Sequence, residues 1–352
     1  MVNEIVVRVL EPPLGDLASR VRFGWSDVRE MVLAGETSGT SIARFFVAEI
    51  DGAFAGSMMY FAPRDTREVA ALEFVWTEPE HRRKGVATVL LDALLADFRA
   101  GGGQAIYLCT TNPHAYALYA RAGFHSLVGD GMRYLAPGHE DFDRTHFAAA
   151  GAATARPGTW ADLARVSALY NQPQPDWLLK DYHAPRRVFR DVRYESHYIR
   201  VWKPASQGRG ALMVLENPLR RVTGLAATVE AESYYEQHVH LLDFFVCPAY
   251  LSQASELLEA TVERAATVGA EIVQVGVAEV DRDKQRLLAE AGFREEARLP
   301  DRLRSGGPGD GSAADGRTDL LVFGRHLPRR PRVAHPRETY YGARRPFHVA
   351  GA

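Results

Sequence analysis

The feature that most constrains the fold is an order of predicted elements that occurs twice along the chain. In the first half, two strands joined by Asp-Gly precede a third strand, a helix, a fourth strand and a short helix that runs into Ala-Gly-Phe at 122–124. The second half repeats this order and reaches Ala-Gly-Phe at 291–293. Matching orders of this kind indicate a tandem duplication of one α/β unit with a mixed sheet.

The spacing of apolar residues predicts the main helix of each half. From Val86 to Phe98, apolar residues recur at the positions of one helical face, and Gly101 to Gly103 end the segment. In the second half, the same spacing is shown by Leu257, Leu258, Val262 and Ala266.

Composition marks the predicted boundaries. Small residues with Pro and Gly at 148–158 indicate a linker between an N-terminal domain (1–147) and a C-terminal domain (159–327). The segment 304–317 has no core-forming residues, so we expect a mobile loop there. The tail 328–352 is rich in Arg and Pro. Its interleaved basic and aromatic residues would allow nucleic-acid binding, but we favour a strap across the domains.

Charge and cysteine usage exclude several classes of protein. The formal net charge is −2 and no apolar run is long enough for a bilayer, so we expect neither a nucleic-acid nor a membrane partner. Cys109 and Cys247 are too few for a disulfide framework, and we take a bacterial cytoplasm as the default compartment. His238 and His240 share one face of a predicted strand, but without further ligands we interpret them as surface histidines and expect no metal.

A basic stretch with a glycine, residues 81–85, lies just before the first long helix. A helix N-terminus attracts phosphate, Gly85 lets the backbone approach a ligand, and Arg82, Arg83 and Lys84 add positive charge. A solvated basic turn explains these residues equally well. We expect no ATP or GTP site, because the P-loop pattern has its glycine before the lysine and Ser or Thr after it.

Two motifs together resemble the GCN5-related N-acetyltransferase (GNAT) family. Residues 82–87 fit the acetyl-CoA signature of that family, Arg or Gln, two residues, Gly, one residue, then Gly or Ala, and Pro79 precedes it. A second segment of the family matches at Asn112, Ala115, Leu118, Tyr119, Gly123 and Phe124. The resemblance covers about residues 5–137 and implies GNAT-like tandem domains, each with a mixed, mostly antiparallel twisted sheet flanked by helices.

The resemblance also implies a cofactor and its contacts. Acetyl-CoA would be the acyl donor, and the parallel strands would splay apart to form the slot for its pantetheine arm. Asn112 would contact this arm. The strand residues that would pair with the arm are Val75, Trp76 and Thr77. The residues that would hold the pyrophosphate are Arg82, Arg83, Lys84, Gly85, Val86, Ala87 and Thr88.

Two further residues are assigned catalytic roles. The resemblance implies that Tyr119 protonates the leaving thiolate and that Glu73 serves as the base, because a free amine is mostly protonated at neutral pH. Strand alternation predicts Glu73 on the same face as Val75 and Thr77. The alternatives are core packing for Tyr119 and a structural glutamate with an arginine partner at position 73.

Other acidic residues and the second half carry no such assignment. We interpret Glu78 and Glu80 as solvated charges. The second half has no basic residue between Val246 and Glu256, and it has Leu288 where the first half has Tyr119 and Asp281 where the first has Asn112. This pattern indicates a degenerate domain with a structural role.

The sequence therefore predicts an acetyl-CoA-dependent N-acetyltransferase. The acceptor would be a primary amine, of a small molecule, that attacks the thioester directly in a ternary complex. A protein N-acetyltransferase, a two-site acetyltransferase and an acyl-CoA-binding sensor without turnover remain as alternatives. We expect a monomer or a homodimer.

Overall fold

The computed structural model describes residues 4–127, 130–171, 194–304 and 317–328. Nearly all of the predicted tail and of the predicted mobile loop lie outside these residues. No helix within the described ranges is long and apolar enough to cross a bilayer.

The first domain is built on a seven-stranded sheet with the order β1-β2-β3-β4-β5-β7-β6. Neighbouring strands are antiparallel except for the parallel pair β4 and β5. The strands are β1 (Ile5–Leu10), β2 (Ser41–Ile50), β3 (Ala53–Pro63), β4 (Val69–Thr77), β5 (Ala105–Cys109), β6 (Phe124–Ser126) and β7 (Gly131–Leu135). The predicted Asp-Gly turn joins β2 to β3, with positive φ at both Asp51 and Gly52, as a tight hairpin requires.

Helix α2 covers one face of this sheet and confirms the periodicity prediction. Its buried residues are the six apolar positions of the predicted face, Val86, Leu90, Leu91, Leu94, Leu95 and Phe98. They pack in one cluster with side chains of β2, β3 and β4. The helices of the first domain are α1 (Arg29–Leu33), α2 (Val86–Ala100), α3 (Pro113–Arg121) and α4 (Phe142–His146).

The second sheet repeats the first. Its order is β8-β9-β10-β11-β12-β14-β13, so each strand occupies the place of its counterpart in the first sheet. The strands are β8 (Thr154–Pro157), β9 (Gly210–Glu216), β10 (Val222–Glu230), β11 (Val239–Val246), β12 (Ile272–Ala278), β13 (Arg294–Arg304) and β14 (Arg317–His326). The helices are α5 (Asp162–Tyr170), α6 (Tyr194–Ser206), α7 (Ala254–Thr267) and α8 (Arg282–Glu290). The predicted fold, two tandem α/β domains, is confirmed, but β8 lies inside the predicted linker 148–158, so the second sheet begins earlier than expected.

Helix α5 joins the two domains through a common core. It belongs to the second half of the chain, yet it packs on β3, β4 and β5 of the first sheet as well as on β10. All of its residues are buried. One apolar cluster therefore contains side chains of both domains, including Phe61 of β3, Leu163 of α5 and Leu225 of β10. Because apolar burial is the main favourable term in folding, the domains stabilise each other.

Ion pairs at the turn between β3 and β4 close the edge of this interface. Glu68 accepts hydrogen bonds at 2.9 Å from both Nε and Nη2 of Arg221, which lies just before β10. Asp65 pairs with Arg165 of α5 and, at 3.0 Å, with Arg220. Burial opposes the charge of Glu68, but its contacts with His146 and Arg221 outweigh burial and lower the pKa of Glu68 to about 2.

Replacing Arg221 with methionine should lower the free energy of unfolding by about 1–3 kcal/mol, because it leaves the partly buried carboxylate of Glu68 without its main donor. Urea denaturation of the full chain at pH 7 measures the loss. The matched control is Arg220→Met, since Arg220 is mostly exposed and exposed ion pairs contribute about 0–1 kcal/mol.

The pH dependence of the same comparison tests the cause. A carboxyl whose pKa is depressed on folding stabilises the protein above its unfolded pKa and loses this effect as pH falls through its folded pKa. The stability difference between the wild type and Arg221→Met should therefore shrink from about pH 5 downward as Glu68 is protonated. A difference that is constant between pH 7 and pH 3 contradicts this assignment.

Candidate active site

A gap between β4 and β5 is the central feature of the first domain. The two strands pair only where Val69–Ala71 faces Ala105–Tyr107. Beyond Ala71, no described strand pairs with this edge of β4, although its other edge stays paired with β3 as far as Thr77. The residues 72–77 therefore present backbone N–H and C=O groups to the gap, as the edge of a sheet does when it binds an extended ligand.

A β-bulge in β4 changes which side chains share a face. Phe74 has a φ of 52°, and the pairing moves from Met59 opposite Glu73 to Ser57 opposite Trp76, so β4 contains one extra residue. Phe74 packs on the apolar cluster shared between the domains, whereas Val75 packs on the cluster beneath α2. Glu73 and Phe74 therefore point to the same face of the sheet, and the usual alternation of side chains fails at this point.

The bulge overturns the predicted position of Glu73. Residues directly opposite each other in an antiparallel pair point to the same face, and Met59, the partner of Glu73, belongs to the cluster shared between the domains. Glu73 therefore lies on the face away from α2. Val75 and Thr77 lie on the α2 face, so the predicted grouping of the three residues was wrong.

Tyr119 approaches the gap from the α2 face. It lies on α3, is 4% exposed, and its ring centroid is 5.5 Å from that of Phe124. Burial raises the pKa of Tyr119, and the nearby charge of Glu73 raises it further. The phenol therefore stays protonated at neutral pH and can donate a proton. Glu73 and Tyr119 thus lie on opposite faces of the sheet, and the charge of Glu73 acts on the phenol of Tyr119.

The loop between β4 and α2 has the geometry of an anion site. Arg83 and Gly85 both have positive φ, at 62° and 85°, and Gly85 is the residue before the first turn of α2. No side chain caps this helix end. The first amides of the helix, at Val86, Ala87 and Thr88, precede the first i to i−4 bond, which Val89 donates to Gly85. Free amides and the helix dipole both favour a bound anion.

Basic and aromatic side chains surround this loop. Arg82, Arg83 and Lys84 are exposed. The Nε of Arg82 donates to the carbonyl of Thr77 at 3.2 Å, and its guanidinium is 5.5 Å from the centroid of the Trp76 ring. These contacts direct the positive charge of Arg82 toward the open end of the gap.

Of the two loop carboxylates, only Glu80 is exposed as predicted. The side chain of Glu78 is 16% exposed and accepts a hydrogen bond from Arg22 at 2.8 Å, which lowers its pKa. The interpretation of Glu78 as a solvated charge was wrong, because the fold brings Arg22 from a distant segment to it.

Asn112 has a structural role that its motif position does not reveal. It is the N-cap of α3, and its Oδ1 accepts from the amides of His114 and Ala115 at 2.9 and 3.4 Å. Capping of this kind stabilises a helix N-terminus and fixes the side chain. The side-chain oxygen of Asn112 is therefore used to cap the helix. The predicted contact with the cofactor would be made by the Nδ2 group of the same side chain.

Comparison with known proteins identifies the first domain. Residues 15–124 match the model of the Acetyltransferase (GNAT) family. The chain carries a GNAT domain. A search of curated proteins found no match to the chain.

Solved structures similar to this chain come from several bacteria. They include a GNAT superfamily phosphinothricin acetyltransferase from Sinorhizobium meliloti in complex with AcCoA, at 15% identity and a TM-score of 0.42, covering 55% of this chain and 97% of that one. An N-acetyltransferase from Staphylococcus aureus Mu50 has 16% identity, a TM-score of 0.40, and coverage of 50% and 99%. A ribosomal-protein-alanine N-acetyltransferase from Brucella melitensis has 19% identity, a TM-score of 0.39, and coverage of 49% and 99%.

In the second domain, an ion pair occupies the place of the active-site gap. β11 and β12 pair only at Val239–Leu241 and Ile272–Gln274, so they separate as β4 and β5 do in the GNAT domain. Asp243 of β11 holds the register position of Glu73, and Lys284 of α8 donates to it at 2.7 Å. The Lys284 side chain is 1% exposed. This buried pair lies where the first domain has its open gap.

The positions equivalent to Tyr119 and Asn112 also hold other residues in the second domain. Leu288, fully buried on α8, stands at the place of Tyr119. Asp281 caps α8 through the amide of Lys284 at 3.1 Å, as Asn112 caps α3. The sequence predicted that Leu288 corresponds to Tyr119 and Asp281 to Asn112, and the positions in α8 and α3 agree with both predictions.

We call the loop between β4 and α2, residues 78–85, the anion loop. The segment before β8 lies against its counterpart in the second domain, residues 247–253. The Ala150 amide donates to the Tyr250 hydroxyl at 2.9 Å, and the Ala153 amide donates to the side chain of Gln253 at 2.6 Å. The chain itself therefore contacts the surface that corresponds to the anion loop of the GNAT domain.

The histidines considered as metal ligands are not both on the surface. His240 is fully buried, with Nδ1 3.5 Å from the hydroxyl of Thr228, so the prediction of a surface residue was wrong for it. His238 is half-buried and precedes β11. Within the described residues, no group of three or more His, Cys, Asp or Glu could hold a metal ion.

Replacing Lys284 with methionine should lower the free energy of unfolding by about 3–5 kcal/mol, because it removes the ammonium group that donates to the buried carboxylate of Asp243. The double change Lys284→Met with Asp243→Leu should recover most of the loss, since an apolar pair of similar size removes the buried charge. Chemical denaturation of the three proteins measures both effects. A double variant no more stable than Lys284→Met would contradict the ion-pair account.

Proposed function

We propose that the protein is an acetyl-CoA-dependent N-acetyltransferase whose active site is the β4–β5 gap of the first domain, and that it acts on a primary amine of a small molecule. The observation that carries the proposal is the placement of Glu73 and Tyr119, which approach this gap from opposite faces of the sheet in a GNAT domain. A base at Glu73 would accept a proton from an amine that enters on one face, and an acid at Tyr119 would donate a proton to the thiolate that leaves on the other.

The residues around the gap fit acetyl-CoA as the acyl donor. The anion loop offers free amides from Val86 to Thr88 and the charges of Arg82, Arg83 and Lys84 to a pyrophosphate. The free edge of Val75, Trp76 and Thr77 would pair with the amide groups of the pantetheine arm, as an added strand does. The Nδ2 group of Asn112 would donate to the same arm.

The proposed reaction is a direct transfer in a ternary complex. Glu73, directly or through water, takes a proton from the protonated amine, a step that costs about 4 kcal/mol for an amine of pKa ~10.4 at pH 7.4. The amine nitrogen attacks the thioester carbonyl, and a strand amide near Val75 stabilises the oxyanion. The new C–N bond forms, the C–S bond breaks, and Tyr119 donates its proton to the leaving thiolate. The nitrogen, now bonded to the acetyl group, loses its second proton to solvent water, and a proton from water restores Tyr119. The products are an N-acetylated amine and CoA.

Two alternatives have definite signatures. A sensor without turnover would bind acetyl-CoA but release no thiol with any amine of a broad panel. A protein N-acetyltransferase would acetylate peptides and leave small amines unmodified. A thiol-release assay with acetyl-CoA, an amine library and a set of peptides separates these functions from small-molecule acetylation.

Tyr119→Phe should lower kcat at least tenfold, because it removes the proton for the leaving thiolate, and it should leave the Kd of acetyl-CoA within about twofold. The matched control is Tyr116→Phe, an exposed tyrosine on the same helix, which should keep full activity. Thiol release and calorimetry measure the two quantities. Full activity of Tyr119→Phe overturns its role as the acid.

The chain should bind one acetyl-CoA, because the second domain has a buried ion pair in place of the gap and no basic loop. Isothermal calorimetry on the full chain measures the stoichiometry. Reversing the loop charges, Arg82→Glu with Lys84→Glu, should weaken binding at least tenfold by repelling the pyrophosphate. A stoichiometry of two, or unchanged binding by the charge-reversed variant, rejects the proposed location.

A further inference from the structure

A group of aromatic rings stands beside Glu73 on its face of the sheet. The Phe74 ring centroid is 4.5 Å from that of Phe23 and 4.7 Å from that of Trp25. All three side chains are only partly buried. Gly24 brings Phe23 and Trp25 close to Phe74, since a Cβ at Gly24 would lie 2.9 Å from the Phe74 ring. We call Phe23, Trp25 and Phe74 the aromatic wall.

The second domain closes the inner end of this wall. Trp160, which precedes α5, is 3% exposed, and its ring centroid is 6.3 Å from that of Trp25. Trp202 of α6 lies behind it at 5.1 Å. Helix α5 covers the rest of this face over β3, β4 and β5. The rings of the wall are partly exposed and are the members of this aromatic group on the side of Glu73.

The direction of substrate approach gives the wall a role. The anion loop, α2 and Tyr119 lie on the other face, where acetyl-CoA is proposed to bind, so the acceptor must reach the gap on the face of Glu73. The bulge at Phe74 places an aromatic ring directly after the proposed base. An acceptor whose nitrogen is beside Glu73 will have its next few atoms against Phe74, Phe23 and Trp25.

Resting on the proposed function, we propose that the acceptor carries a flat apolar ring a few bonds from its primary amine, and that the aromatic wall selects it. Aromatic faces attract such a ring through burial and through edge-to-face or offset stacking. The same faces attract the ammonium form of the amine before Glu73 removes its proton. Glu73 thus provides the charge that recognises the amine, and the wall provides the specificity.

The test compares two aliphatic primary amines, 2-phenylethylamine with a ring and n-butylamine without one, at equal concentrations of the free amine. The wild-type full chain should have a kcat/KM at least tenfold higher for 2-phenylethylamine. Trp25→Ala should bring the ratio close to one, and the conservative Trp25→Phe should keep most of it. Tyr235→Ala, which removes an exposed ring of the second domain, should leave the ratio unchanged.

Failure of this inference is distinct from failure of the proposed function. Equal kcat/KM values for the two amines in the wild type, or a ratio that survives Trp25→Ala, overturn the inference and leave the acetyltransferase proposal intact. If no amine is acetylated, calorimetric titration with 2-phenylethylamine in the presence of CoA tests whether the aromatic wall binds a ring. Binding that is lost in Trp25→Ala supports the wall, and no binding by the wild type overturns it. Phe23→Leu serves as the second variant if Trp25→Ala does not fold.

Discussion

The short parallel pairing between β4 and β5 is the constraint on which the proposed site depends. The strands are held together at one end, where the carbonyl of Glu68 accepts from the amides of Gln104 and Ala105 at 2.8 and 3.0 Å. They pair for three residues and then separate. The separation leaves polar backbone groups of β4 without strand partners, and a cofactor arm that pairs with them would satisfy these groups. The residues proposed as base and acid, Glu73 and Tyr119, and the loop proposed to bind the pyrophosphate belong to the elements on either side of this opening.

The second domain has the same scaffold with different residues at the equivalent gap. Its strands separate at the equivalent place, but Lys284 and Asp243 form a buried ion pair there and Leu288 replaces Tyr119. What the second domain supplies instead is burial. Through α5 and the contacts of Arg221, it covers the first sheet and holds the turn at which β4 begins. We therefore propose that the first domain carries the chemistry and that the second domain stabilises it.

Most of the fold could be predicted, because the order of elements and the apolar faces are local patterns. Helix α2 has the predicted buried face, and the predicted short helix that ends before Gly123 is present as α3. The predictions for Glu73 and Glu78 were wrong because they depend on a local bulge and on a long-range contact, which sequence patterns do not show. The bulge at Phe74 moved Glu73 to the other face, and no residue type at that position signals it. Arg22 pairs with Glu78 across 56 residues of sequence, a contact that no local pattern reveals.

The sequence by itself determined the duplicated α/β plan, the family resemblance of the first half and the loss of the basic loop in the second. These properties depend on periodicity and on short motifs, both of which are read within a few turns or strands of chain. Only the tertiary structure decided that α5 crosses to the first sheet, that Glu73 faces away from α2, and that aromatic rings from separate segments meet beside it. Such features depend on register and on contacts between distant residues, where one extra residue in a strand reverses the face of every side chain that follows.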